Sequence, residues 1–210
     1  MTMKLRILGC SGGIGGENLR TTSLLVDDDV LIDAGTGLGD LSIAELTRID
    51  HVFLTHTHLD HIACLPLMTD SVADRRSKPL TVYGTQAVLN ILKAHVFNWL
   101  IWPDFTEVPS AENPFMCYQP IELLQPVTLG GRSFTALPVD HTVPAVAYRL
   151  DSGAGSLVFS GDTGPCDAFW ASVNKIDNLR HVIIECAFPD REAPLALLSK
   201  HLCPSMLALE

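Results

Sequence analysis

The sequence predicts an α/β fold in which two β-sheets pack face to face and helices cover their outer surfaces, a four-layer αββα sandwich. Two observations predict it. Short apolar runs typical of strands occur in both halves of the chain, and in each half they alternate with segments of helical spacing. No repeat of fixed period and no long polar linker interrupts the 210 residues, so we expect a single domain over residues 1–210.

The first half of the chain begins with strands bounded by Gly, Asp or Thr. The predicted strands span residues 3–8, 23–26, 30–32, 51–54 and 80–83. The predicted helices span residues 38–46, 62–68 and 86–97, the last of which carries apolar residues at helical spacing. Residues 103–120 contain four prolines and are expected to form a loop or lid.

The second half repeats this order of strands followed by helices. The predicted strands span residues 121–124, 133–139, 145–150, 157–159 and 181–184. The predicted helices lie near residues 166–173 and from Ala193 onward. Each half therefore supplies one sheet and its covering helices to the predicted sandwich.

Composition and charge limit the classes of partner. The chain is 47% hydrophobic with a mean hydropathy of +0.25, but no run approaches the ~20 apolar residues that span a bilayer. Its first residues lack a secretory signal, so we expect a cytoplasmic protein that does not bind membranes. A net charge of −10 argues against extended nucleic acid as a partner, and the apolar composition favours a homodimer.

Residues 55–61 are the strongest functional signal, because they read Thr-His-Thr-His-Leu-Asp-His. Three of the eight histidines lie within this segment, directly after the apolar run 52–54. Imidazoles that emerge together from the end of a strand can direct neutral ring nitrogens at one cation. The segment therefore predicts a metal site.

Four further residues stand where a strand is expected to end, namely Asp33, His141, Asp162 and the later His201. An open α/β architecture gathers its active groups on loops at one edge of the sheet. We therefore expect these side chains to lie near the histidine segment. No partner at ligand spacing accompanies His51, His95 or His181, to which we assign no role.

The motif His56-x-His58-x-Asp60-His61, with His141 and the segment 160–163 after it, resembles the signature of the metallo-β-lactamase superfamily. Four shorter segments resemble class II cyclic-nucleotide phosphodiesterases: 58–63, 97–103, 161–165 and 184–189. The resemblance implies a metallo-β-lactamase-like sandwich. It also implies an enzyme that hydrolyses 3′,5′-cyclic nucleotides (cAMP or cGMP) to 5′-nucleotides through a metal-bound hydroxide.

The resemblance also implies a ligand set for two divalent ions. One ion takes His56, His58 and His141, the second takes Asp60 and His61, and Asp162 bridges the two. Nitrogen ligands favour Zn²⁺, whereas the carboxylates also suit Mn²⁺ or Mg²⁺.

Three more roles follow from the same resemblance and from metal chemistry. Asp60 orients or deprotonates the nucleophile, and His201 protonates the departing 3′ oxygen. Asp33 orients a ligand histidine. Related enzymes carry one more ligating histidine in a final strand; none follows before Glu210, so we expect looser binding of the second ion.

Three alternatives remain at this point. A tRNA 3′-processing endonuclease uses similar ligands, but the separation of 21 positions from His141 to Asp162 (162 − 141) leaves little room for its RNA-gripping arm. A second alternative is a hydrolase of this scaffold that cleaves a thioester or lactam. The third is a metal-binding scaffold without turnover.

Two other segments invite a nucleotide-binding interpretation. The glycine-rich segment 9–16 contains neither Gly-x-Gly-x-x-Gly nor a P-loop, and we expect a flexible turn there. The aromatic residues Phe97, Trp99, Trp102 and Phe105 suit either stacking on a purine or packing in the core.

Overall fold

The computed structural model describes residues 3–210 and divides them into two compact units. We call residues 4–120 the N-terminal unit and residues 121–210, which group with Met3, the C-terminal unit. Each unit contains one sheet and several helices, as the two strand-rich halves of the sequence indicate. The single domain over residues 1–210 stays a prediction.

The N-terminal unit is built on a six-stranded sheet in the order β1-β2-β3-β4-β5-β6. Its strands are β1 Leu5–Gly9, β2 Ser23–Val26, β3 Val30–Ile32, β4 His51–Phe53, β5 Leu80–Gly84 and β6 Met116–Pro120. The first three strands are antiparallel, and β3 to β6 run parallel. Its α-helices are α1 Ile43–Arg48, α2 Leu59–Ile62, α3 Leu65–Val72 and α4 Gln86–His95.

The core of this unit is built from apolar side chains of the central strands and of the helices that pack on them. Every residue of β3 is fully buried, which is the pattern of a central strand that is covered on both faces of the sheet. Helix α4 contributes Val88, Leu89 and Leu92 to the same core cluster. Because these side chains recur at helical spacing, their burial fixes which face of α4 packs on the sheet.

The C-terminal unit is built on a five-stranded sheet in the order β11-β10-β9-β8-β7. Its strands are β7 Pro126–Leu129, β8 Arg132–Pro138, β9 Val146–Asp151, β10 Ser156–Phe159 and β11 Leu179–Ile183. All neighbours are antiparallel except β10 and β11, which are parallel. Its α-helices are α5 Asp167–Val173, α6 Ala193–Ser199 and α7 Pro204–Leu207.

Helix α5 covers part of this second sheet. Its buried residues Phe169 and Val173 belong to a core cluster with Leu137 of β8 and Val158 of β10. Among the described residues no helix combines the length and apolar character that crossing a membrane requires.

The predicted strand over residues 121–124 is wrong. Leu124 has a positive φ of 64°, and the segment makes only an isolated bridge from Leu123 to Ala136. The strand lies instead at β7, which begins at Pro126 on the edge of the sheet. An edge strand tolerates proline because one side of its backbone needs no partner.

The predicted loop over residues 103–120 is wrong in its last part, because Met116–Pro120 forms the edge strand β6. The predicted helix over 38–46 is also wrong in its extent. A 3-10 turn, Thr36–Asp40, is separated from α1 by Ser42, whose hydroxyl caps α1. The helix from Ala193 onward is interrupted at Lys200, which adopts a left-handed conformation.

Candidate functional site

Two parallel strands bring the first group of candidate ligands to one edge of the N-terminal sheet. Asp33 follows β3 directly, and residues 54–61 follow β4. The strands pair in register, and the N–H of Asp33 donates to the carbonyl of Phe53 at 2.9 Å. Carboxyl ends of parallel strands meet at the same edge, so Asp33 lies beside the histidine segment.

Asp33 is fully buried and holds the start of this segment in place. Its carboxylate accepts hydrogen bonds from the N–H of Thr55 at 2.8 Å and from the Thr55 hydroxyl at 2.7 Å. It also lies 2.7 Å from Nδ1 of His61. This contact fixes the orientation of the His61 ring, which is the role that the sequence predicts for Asp33.

His56 and His58 present ring nitrogens to the same space. Nδ1 of the buried His56 lies 3.0 Å from the Thr55 hydroxyl, and its Nε2 lies 3.1 Å from Nδ1 of His58. Asp60, in the first turn of α2, places a carboxylate oxygen 3.6 Å from Nε2 of His61. The four predicted ligands of this unit therefore cluster at one sheet edge.

The C-terminal unit gathers a second group at the edge where β8, β10 and β11 end. His141 follows β8, Asp162 follows β10, and Glu185 follows β11. The strand order makes these three strands run in the same direction, so the loops after them share an edge. Nε2 of His141 lies 3.9 Å from a carboxylate oxygen of Asp162.

His201 reaches this group from a position that the sequence did not indicate. It follows α6, so the expectation that it stands at a strand end is wrong. Its Nδ1 lies 2.7 Å from Oε1 of Glu185, and its ring centre lies 5.0 Å from that of His141. Ligand atoms of Asp162, Glu185 and His201 all lie within 4.8 Å of one another.

Glu185 is the organising carboxylate of this unit. Its Oε1 also accepts from the N–H of Thr163 at 2.9 Å, and its Oε2 accepts from the N–H of Leu202 at 3.2 Å. Its position at the end of an apolar strand was the only sequence signal for this role. Because both oxygens are engaged, the carboxylate holds the loop after β10 and the segment around His201 together.

Lys200 was missed by the sequence reasoning. Its backbone carbonyl accepts a hydrogen bond from Nδ1 of His141 at 3.1 Å, and its ammonium pairs with Asp140 at 2.7 Å. The residue has a left-handed conformation with φ 54° and ψ 56°. A backbone contact of this kind leaves no signature in the side-chain sequence.

The donors in both units suit a divalent metal ion. Nδ1 of His56, His61, His141 and His201 each lies within hydrogen-bond distance of a neighbouring oxygen, which orients the ring as in metal-ligating histidines. Imidazole nitrogens with nearby carboxylates form the donor set that zinc takes most readily. The two-ion arrangement itself, with its ligands shared between the ions, stays a prediction.

Two cysteine thiols close to these groups do not add to the ligands. Burial raises the pKa of Cys64, and burial together with the nearby charge of Glu185 raises the pKa of Cys186. Within residues 3–210, neither thiol belongs to a group of side chains that could hold a metal ion.

The remaining histidines and aromatic residues lie apart from these groups. Within residues 3–210, neither His51, His95 nor His181 belongs to a set that could hold a metal ion. In the aromatic segment, Phe97 and Phe105 are buried in the core with ring centres 6.3 Å apart, while Trp99 is exposed. The core interpretation therefore holds for these two phenylalanines.

Comparison with known proteins gives a family match over most of the chain. Residues 28–205 match a family profile described as a beta-lactamase superfamily domain. A probable 3′,5′-cyclic-nucleotide phosphodiesterase of Yersinia pestis is 28% identical, over 97% of this chain and 69% of that protein. A 3′,5′-cyclic-nucleotide phosphodiesterase of Aliivibrio fischeri is 28% identical over 97% of this chain and 72% of its own length.

Solved structures show the same fold. Unliganded yeast PDE1 aligns with a TM-score of 0.82 at 20% identity, over 99% of this chain and 81% of that chain. The metallo-beta-lactamase fold protein YhfI of Bacillus subtilis aligns with a TM-score of 0.76 at 23% identity, over 97% of this chain and 78% of that chain. The short form of human tRNase Z aligns with a TM-score of 0.70 at 18% identity, over 99% of this chain and 87% of that chain. The predicted α/β fold of metallo-β-lactamase type is confirmed.

Proposed function

The chain belongs to the beta-lactamase superfamily, whose members are hydrolases, and from this membership we propose that it is a phosphodiesterase. Its substrate in this proposal is a 3′,5′-cyclic nucleotide, which it opens to a 5′-nucleotide. The observation that carries the proposal is that a hydrogen bond at Nδ1 orients each of the imidazoles of His56, His61 and His141, as metal-ligating histidines require. The names of the bacterial relatives support the choice of substrate.

The proposed cofactors are two divalent ions, with zinc favoured and manganese or magnesium accepted. His56, His58 and His141 hold the first ion, Asp60 and His61 hold the second, and Asp162 bridges them. Such ions, when bound, acidify a water as nucleophile and offset the negative charge that develops on a phosphodiester.

The chain's own groups supply the proton transfers. Water adds its oxygen to phosphorus, the bond from phosphorus to the 3′ oxygen breaks, and that oxygen must gain a proton. Asp60 orients the water and receives its proton, and Nε2 of His201 donates the proton to the leaving oxygen. Glu185 accepts a hydrogen bond from Nδ1 of His201 and stabilises the protonated ring before transfer.

The main rival is a tRNA-processing endonuclease, since a tRNase Z shares the fold. The segment between His141 and Asp162 is taken up by β9 and β10, which a turn over residues 152–155 joins. That hairpin leaves no arm with which to grip RNA. The net charge of −10 also disfavours binding to a polyphosphate backbone.

The location and partners belong to the same proposal. All six cysteines are free within the part of the chain that the structure describes, which suits a reducing cytoplasm. The partner is then a small cyclic nucleotide rather than extended nucleic acid or a membrane, and two copies of the chain form a homodimer.

A direct assay tests the proposal. The purified chain is given cyclic AMP, cyclic GMP, a model phosphodiester and a tRNA precursor, before and after chelation of metal. We expect turnover of a cyclic nucleotide that chelation abolishes and added zinc restores. Cleavage of the tRNA precursor alone would favour the endonuclease, and metal binding without turnover of any substrate would favour a scaffold.

Variants separate the roles of the histidines. His58→Ala should lose metal and turnover together, whereas His201→Ala should keep its metal and lose turnover by about 10²- to 10⁴-fold. His95→Ala, an exposed histidine outside the candidate groups, is the matched control. Full turnover in His58→Ala would refute its assignment as a ligand.

A further inference from the structure

The C-terminal unit contains a cavity of about 200 Å³ that none of the proposed catalytic residues lines. One wall is the sheet, with Thr135 and Leu137 of β8 and Arg149 of β9. The facing wall is the end of α5 and the turn after it, with Ser172, Lys175 and Ile176. The cavity thus combines apolar sides with two cations and two hydroxyl groups.

Arg149 is held rigidly at the sheet wall. Its Nε donates to the hydroxyl of Ser156 at 3.0 Å, and its Nη2 donates to Asp151 at 2.5 Å and to Asn178 at 3.0 Å. Its Nη1 makes no hydrogen bond to any residue in 3–210. The hydrogen bonds of Nε and Nη2 therefore orient the guanidinium, while Nη1 can donate to a ligand.

Lys175 faces it from the other wall. The residue is exposed, and within the described residues its ammonium makes no ion pair. The hydroxyl of Ser172 donates to the carbonyl of Ala168 at 2.8 Å. The hydroxyl of Thr135 has no hydrogen-bond partner within residues 3–210, so it remains a donor for a ligand. Thr135 is the cross-strand neighbour of Arg149 in the register of β8 and β9.

The charges around the cavity favour an anion. Its lining includes no carboxylate in the part of the chain described, although the chain as a whole has a charge of −10. Asp151 balances only one of the two cations. A tetrahedral oxyanion can accept several charge-assisted hydrogen bonds at once, which suits donors converging from two walls.

We propose that this cavity binds the phosphate group of a small phosphomonoester, a chemistry that free inorganic phosphate shares. Arg149 and Lys175 contact the phosphate oxygens, and the hydroxyl of Thr135 donates a further hydrogen bond. The cavity exceeds the volume of a phosphate group, and Leu137 and Ile176 contact the apolar part of the ester. The site is separate from the proposed hydrolysis of cyclic nucleotides and does not depend on it.

Titration of the zinc-loaded full chain with inorganic phosphate, followed by amide NMR shifts, tests the site. We expect saturable shifts at Thr135, Ser172 and Lys175 that do not depend on any shifts near the metal ligands. Phenyl phosphate in place of inorganic phosphate identifies the source: tighter binding points to an ester and equal binding to free phosphate.

Two variants sharpen this test. Lys175→Gln should weaken binding roughly tenfold, as loss of a charged hydrogen-bond donor predicts. Lys93→Gln, which removes an exposed lysine from α4 of the other unit, should bind as the wild type does. Arg149→Lys keeps the positive charge but loses the planar guanidinium with its several donors, and it should also bind phosphate more weakly.

Two results would overturn the proposal. One is a titration in which only amides near His141 and Asp162 shift. The other is equal phosphate affinity in the Lys175→Gln and Lys93→Gln variants. Because Lys175 is exposed, its replacement leaves the fold intact even where Arg149→Lys does not.

Discussion

At the scale of single residues, Asp33 shows how one buried carboxylate prepares a metal ligand. It accepts two hydrogen bonds from Thr55 and contacts Nδ1 of His61. It therefore fixes both the start of the loop after β4 and the orientation of the His61 ring. Asp33→Asn keeps a side chain that tolerates the positive φ of 57° but removes the negative charge. We expect zinc affinity to fall about 10- to 100-fold, measured by competition with a chromophoric chelator.

The matched control for this experiment is Asp40→Asn. Asp40 pairs with Arg20 at the surface, where loss of an ion pair has little effect. Zinc affinity should therefore stay at the wild-type value in the control. If Asp33→Asn bound zinc as tightly as Asp40→Asn, the orienting role of Asp33 would be wrong.

Residue types and spacing predicted part of the candidate site and missed the rest for a physical reason. The clustering of His56, His58, Asp60 and His61 follows from their positions after one strand, which local sequence shows. The contacts of Glu185 with His201 and of the Lys200 carbonyl with His141 join segments far apart in the chain. Such contacts depend on tertiary packing, which spacing along the chain does not encode.

At the scale of elements, helix α1 provides a prediction about pH. The carboxylate of Glu45 accepts hydrogen bonds from the backbone N–H and the hydroxyl of Ser42, and it forms an ion pair with Arg6. These contacts, the backbone hydrogen bond most of all, lower the pKa of Glu45 from 4.5 to about 2. A carboxylate with a lowered pKa stabilises the folded state above pH 4.5 and loses that contribution as pH falls towards 2. As pH falls from 4.5 towards 2, the wild type should therefore lose this contribution. Its free energy of unfolding, measured with urea, should fall towards that of the Glu45→Gln variant.

Glu17→Gln serves as the control for Glu45→Gln. Glu17 is exposed and makes no hydrogen bond or ion pair within the described residues. Its replacement should leave the pH dependence of stability unchanged. A difference between wild type and Glu45→Gln that stays constant from pH 6 down to roughly pH 2 would contradict the capping interpretation.

The end of helix α6 gives a second prediction at this scale. Lys200 has a left-handed backbone conformation. This conformation is higher in free energy for residues with a Cβ atom than for glycine. Lys200→Gly and Lys200→Ala both lose the surface ion pair with Asp140 and keep the carbonyl that contacts His141. We therefore expect the glycine variant to be more stable than the alanine variant by about 1 kcal/mol in urea unfolding.

Zinc affinity distinguishes this backbone role from a role of the lysine side chain. The carbonyl of residue 200 remains in both variants, so both should bind zinc as the wild type does. Weaker zinc binding by both variants to the same extent would show that the ammonium, and not the carbonyl, supports His141. An alanine variant more stable than the glycine variant would contradict the left-handed cap.

Most elements follow from the sequence, and those that do not lie at sheet edges or at breaks between helices. Strands β2 and β3 match their apolar runs because central strands bury every residue. The edge strands β6 and β7 carry polar and proline residues, since one side of each needs no backbone partner. Their pairing is decided by the neighbouring strand and not by their own composition.

At the scale of the whole molecule, the proposed function makes the two units depend on each other through the metal ions. The N-terminal unit offers His56, His58, Asp60 and His61, and the C-terminal unit offers His141 and Asp162. A ligand that binds only the folded state stabilises it in proportion to the logarithm of its concentration over its dissociation constant. Ions bound by both units should therefore stabilise both.

Hydrogen exchange measured with and without zinc tests this dependence. Zinc should slow amide exchange after β4, at residues 56–61, and also after β10, at residues 161–163. His58→Ala should abolish the protection at both places, although the substitution lies in only one unit. His95→Ala should keep it at both places, because its side chain belongs to no candidate metal group in the described part of the chain. Loss of protection confined to residues 56–61 in the His58→Ala variant would show that each unit binds metal separately, and the proposed two-ion centre would then be wrong.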